Sequence, residues 1–174
     1  MNIYKKILLT FGIAFLLSLQ GFAQTDAIGK FFSQYENNDK FTVVSVSPRM
    51  FKMMSKIKWD DVSADVKQTI QQITSLRILT TESNGLQYYK EAVKKLNVAE
   101  YEELMTIKSE GDNVKFLAKE KNNIINELLM LVGGNDDFVL MSITGNIDLD
   151  KISKLGETLN IQGMDNLKDL KKKK

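Results

Sequence analysis

The sequence predicts a single α+β domain with a largely antiparallel sheet, on three observations. The spacing of apolar residues is helical through most of the first half and switches to strand-like alternation near Tyr101. Turn-forming clusters at 110–113, 122–123 and 133–136 then divide the second half into strands too closely spaced for helical crossovers. One proline and ten glycines in 174 residues leave little room for long linkers, and a 43% hydrophobic content is enough for a core. The expected architecture is a four-stranded meander in the C-terminal half, with helices packed mainly on one face.

The elements follow in order. Ile28, Phe31, Phe32 and Tyr35 share one helical face, with Asp26 placed to cap it. Phe41 to Val46 is rich in β-branched residues and flanked by turn formers, which predicts a strand. Ser47 and Pro48 then open a helix to about Ile57, as N-cap and first helical residue, and Trp59-Asp60-Asp61 ends it. Val66, Ile70 and Ile73 predict a further helix after Ser63, and Leu76 to Thr81 a second strand. Asn84-Gly85 turns into a helix with Leu86, Tyr89, Val93 and Leu96 on one side. Met105 and Ile107 alternate with polar neighbours, and Val114, Phe116 and Ala118 do so on the return. Ile124 to Val132 and Phe138 to Thr144 complete the meander. Asp148 or Asp150 caps a closing helix carrying Ile152, Leu155 and Leu159.

The ends of the chain predict its compartment. Lys5 and Lys6 precede an apolar run from Ile7 to Leu19, and Gly21-Phe22-Ala23 supplies small residues at the −3 and −1 positions. Residues 1–23 therefore read as a secretory signal peptide cleaved before Gln24, and 24–167 as the domain. The run is short for a bilayer span, so no transmembrane helix is expected after cleavage. The absence of cysteine excludes a lipoprotein anchor and disulfides. Losing Lys5 and Lys6 takes the formal charge from +2 to zero, and Lys171 to Lys174 then leave the body mildly acidic. That balance argues against nucleic acid as a partner. The basic tail, 168–174, suits solubility or weak contact of Lys171–Lys174 with an anionic surface.

The available chemistry is narrow. With no histidine and no cysteine, the commonest general base, the usual zinc ligands and thiol nucleophiles are all missing. Gly133-Gly134 lies between two strands, where a hairpin explains it better than a phosphate loop. Of the carboxylate pairs, Glu102 and Glu103 point to opposite faces of a strand, Asp136-Asp137 suits a turn, and Asp148 and Asp150 suit caps. Asp60-Asp61 follows no calcium-loop pattern. No catalytic residue, metal site or cofactor is expected.

Two features point to an interaction surface. Leu128 to Val132 and Phe138 to Met141 are apolar on both faces, which predicts cover on both sides of these strands. That cover is either the protein's own helices and loops or a docked partner meeting Leu129, Leu131, Val139 and Met141. The second feature is the cluster of Met50, Met53 and Met54 around Phe51, with Met50, Met53, Met54 and Ile57 on one helical face. Such a face is either ordinary core or an adaptable docking surface.

The stretch Phe41-Thr-Val-Val-Ser-Val-Ser-Pro-Arg-Met-Phe-Lys-Met-Met54 resembles the opening motif of a bacterial family known as domain of unknown function 4252. A Tyr-rich helix like Tyr88-Tyr89-Lys90 and a strand-rich second half ending in Asp-Leu-x-x-Ile also resemble it. The resemblance implies bacterial export, to the periplasm or beyond, and carries no activity over to any residue. The leading expectation is a non-enzymatic envelope protein that binds another protein or itself. A carrier of a small apolar ligand, held between helices and sheet, is the alternative. A carboxylate-based enzyme ranks third.

Overall fold

The computed structural model describes residues 26–57 and 64–152. The signal segment, the Trp59-Asp60-Asp61 break, Leu155, Leu159 and the lysine tail lie outside the described residues.

Helix α1 spans Ala27–Tyr35, with the Asp26 side chain accepting from the Gly29 N–H. Strand β1 is Thr42–Val46. Helix α2 is Pro48–Met54, capped by Ser47 as its sequence predicts. Helix α3, Ala64–Gln72, runs directly into strand β2, Ile73–Thr81. Helix α4 is Gly85–Lys95, followed by a 3-10 turn at Val98–Glu100. The meander comprises β3 Glu102–Lys108, β4 Asn113–Lys121, β5 Ile124–Gly133 and β6 Phe138–Ile147. At its β4–β5 corner, Asn122 and Asn123 both take positive φ, of 56° and 60°. That geometry matches the strand twist of a two-residue hairpin, and asparagine adopts it more readily than most residues.

All six strands form one open antiparallel sheet in the order β1-β2-β6-β5-β4-β3. The meander is thus extended at β6 by β2, and β2 by β1. In the centre, Leu79, Leu140 and Leu131 line up across β2, β6 and β5, as do Ile78, Met141 and Met130 one residue along. The two rows face opposite ways. Every residue from Leu128 to Gly133 and from Phe138 to Ile143 is buried. Continuous apolar runs here mean that both faces of the sheet are dry, as the central strands of a covered sheet require.

The sequence-based expectation places the helices mainly on one face; among the described residues α1 and α4 lie on one face, and α2 and α3 reach the other. On the first face, α1 and α4 set Phe31, Phe32, Tyr35, Tyr89 and Ala92 over Leu79, Leu129, Leu131 and Leu140. On the second, Phe51 of α2 and Ile70 of α3 lie over Leu128, Met130, Met141 and Ile143, joined by Ile152 at the start of the closing turn. The more extensive helical cover is on the first face. The cause is the apolar content of β5 and β6, which leaves neither face free to meet water. Gly133 lets α4 come close, because a Cβ there would lie 2.4 Å from the Cβ of Tyr89.

Candidate functional site

The open sheet has two edges, and they differ in how they meet solvent. Edge strand β3, Glu-Glu-Leu-Met-Thr-Ile-Lys, carries three charges and a register break between Glu103 and Met105. Glu103 pairs with Lys115 of β4, whose hydrogen bond and charge hold the Glu103 carboxyl below the usual glutamate value. Charge and a bulge are the usual devices that keep an edge from pairing with another chain. Strand β1, Thr-Val-Val-Ser-Val, has neither. It is uncharged, contains no proline, and pairs with β2 without a register shift. Its position is set by Phe41, whose ring packs against Tyr35 and Tyr88 at centroid distances of 4.4 and 4.8 Å.

The second face of β1 continues into α2. Met50, Met53 and Ile57 are 47%, 57% and 55% exposed, and Val44 of β1 is 40% exposed. Among the described residues only Ile124 is another large hydrophobic left so open. Of the methionine cluster, Met54 instead packs partly against the second-face core, and Phe51 is buried in it. Helix α2 thus turns Phe51 and Met54 inward and leaves Met50 and Met53 out. Leu129 and Leu131 are buried on the first face, Val139 and Met141 on the second. These four are core, and the protein's own helices cover both faces of the central strands.

The first face of β1 borders a cleft of about 740 Å³ between α1 and β1–β2. Lys30, Phe32 and Ser33 of α1 line it opposite Val43, Ser45 and Arg77. Arg77 Nη1 lies 3.5 Å from Asp26 Oδ2. The lining mixes four charged side chains with a few apolar ones, unlike the enclosed apolar chamber a carrier of apolar ligands needs. Farther along the same face, Tyr101 donates to Glu127 at 3.0 Å and Ser142 donates to it at 3.3 Å. Burial, then the Glu127 charge and hydrogen bond, raise the Tyr101 hydroxyl above its ordinary pKa and keep it a donor. Sequence reading missed Val44, Arg77 and Glu127. The signal for the last two was present, since each is the one charged residue inside an apolar strand.

The carboxylate pairs occupy local roles. Asp148 Oδ1 accepts from the Asp150 N–H at 3.0 Å, closing the turn that leads to Ile152. Asp137 accepts through its backbone oxygen from Gly134 in the β5–β6 turn. Among the described residues, no three acidic side chains converge on a point that could hold a metal, and no helix is long and apolar enough to cross a membrane.

No curated protein and no solved structure matches the chain. A family model does, over residues 35–155, which takes in β1, α2, the tyrosine-bearing helix α4 and the whole meander. The chain therefore belongs to the family described as Domain of unknown function (DUF4252).

Proposed function

We propose that this protein is an exported, non-enzymatic binding module that engages another protein by adding a strand to β1 beside α2. The observation that carries this reading is the contrast between a guarded edge at β3 and an unguarded one at β1. The unguarded edge is flanked by exposed Val44, Met50, Met53 and Ile57. An added strand gains main-chain hydrogen bonds along β1. Its alternate side chains enter the cleft on one face and meet the exposed methionines on the other. Methionine suits the second role because its unbranched thioether adapts to differing shapes. Export is supported by the charged and apolar pattern of residues 1–23 and by the small residues before Gln24.

Site-specific photocrosslinking in living cells tests the reading. A photoreactive side chain at Val44 or Met53 should trap a discrete heavier species. The same group at Ser109, in the β3–β4 turn, should trap none. Equal trapping from all three positions, or none from any, sinks the proposal.

A further inference from the structure

The charge around β1 narrows the kind of partner, on the reading that β1 accepts a strand. From Lys40 to Ile57 the chain carries Lys40, Arg49, Lys52 and Lys56 and no acidic residue. All four are exposed, and three of them share the seven-residue α2 and its C-terminal turn with Met50 and Met53. Elsewhere the surface is mixed: β3 sets Glu102 and Glu103 against Lys108, and α4 pairs Glu91 with Lys95 at 2.8 Å. Asp26 and Glu36 lie in the cleft on the other face of β1, so the basic, apolar margin is the one on the α2 side, and it selects for a complementary partner there.

We infer that the partner is an extended acidic segment of another protein: a short run of alternating apolar residues flanked by carboxylates. The apolar side chains on one side cover Val44, Met50 and Met53, and the flanking carboxylates meet Arg49, Lys52 and Lys56. A second copy of this chain is the weaker occupant. Antiparallel pairing of β1 with itself is sterically simple, but it brings two sets of the same cations to one side of the joined sheet. No carboxylate from 40–57 offsets them. The arginine adds geometric selectivity, since a guanidinium holds a carboxylate through two parallel hydrogen bonds.

The test uses three fluorescent nine-residue peptides with one alternating valine–threonine core. They are flanked by glutamate pairs, lysine pairs or serine pairs. With the purified protein at low salt, the glutamate-flanked peptide should bind about tenfold or more tighter than the lysine-flanked one. The gap should close toward 1 M salt, where screening shortens the reach of charge to about 3 Å. The double variant R49E/K52E should reverse the order, and both positions are exposed, so folding is retained. Equal affinity for all three peptides overturns the charge inference and leaves strand addition standing. Binding to none of them overturns strand addition itself. Two other results also overturn the inference: capture by phosphatidylglycerol vesicles in preference to every peptide, and a dimer in sedimentation that the glutamate peptide fails to dissociate.

Discussion

The two edges of this sheet hang on the same core and solve the same exposure problem in opposite ways. Strand β3 ends the sheet with Glu102, Glu103 and Lys108, a bulge, and an ion pair back to β4. Strand β1 ends it with five uncharged residues, three of them valine. A protein can protect its edges at the cost of a few surface charges, so an edge left open beside exposed methionines is better read as a contact surface than as an oversight. The difference is what the proposed recognition at β1 rests on.

The comparison assumes one core, dry on both faces, and that assumption can be broken first. Leu131 on the first face and Met130 on the second are both fully buried. Truncating either to alanine should cost about 2–5 kcal/mol, seen as a lower denaturant midpoint. If one costs little, that face is loosely covered and the two edges do not share a common support.

Proline substitution on β1 sharpens the assignment. Successive residues of an edge strand direct their N–H groups alternately inward and outward. Of V44P and S45P, one therefore breaks a ladder bond to β2 and should lose about 1–3 kcal/mol. The other removes only an outward donor, stays near wild-type stability, and should abolish partner crosslinking. Both variants binding normally would separate recognition from the strand. In the converse experiment, the combined variant E103V/K108V removes two of the three charges of β3. Light scattering should then show stronger concentration-dependent association than the wild-type chain gives.

Smaller effects test how β1 is held. Ser47 Oγ accepts from the Met50 N–H at 3.3 Å, and S47A should cost about 1 kcal/mol through loss of that cap. On the far side of the aromatic cluster, Tyr35 and Lys95 donate to Glu91 at 2.7 and 2.8 Å. Burial alone would raise the Glu91 pKa, but the hydrogen bonds from Lys95, Tyr35 and Gln34 outweigh it and lower it. A carboxyl whose folded pKa is depressed stabilises the fold above its unfolded pKa, and that stability is lost as pH falls through the folded value. Thermal melts of E91Q and wild type should therefore differ at neutral pH and converge in strong acid. A constant difference would mean that Glu91 acts by packing.

Much of this fold is legible in the sequence because local rules agree there. The Ser47-Pro48 start, the Asn122-Asn123 turn and the alternation in β4 each follow from one residue type meeting one backbone need. What was not legible depends on contacts distant in sequence. The docking of β2 against β6 joins Leu79 to Leu140, and no local pattern announces it. The orientation of α2 is illegible for a related reason. Across 50–57 the spacing of Met50, Met53, Met54 and Ile57 describes one stripe, while Phe51 and Met54 describe another. The deeper second-face core takes the larger ring. The edges are the least legible of all, since a strand's sequence does not say which strand will lie beside it.

The strand order also sets a timetable. Strands β3 to β6 are consecutive hairpins, and each can pair as soon as the next is made. Strand β2 cannot, because Leu79 must wait for Leu140, about sixty residues later in synthesis. Until then the apolar strand Ile73–Thr81 and its neighbour β1 have no place on the sheet. The N-terminal strands are therefore the last to be seated although they are the first to be made. In hydrogen exchange they should also be the first to open.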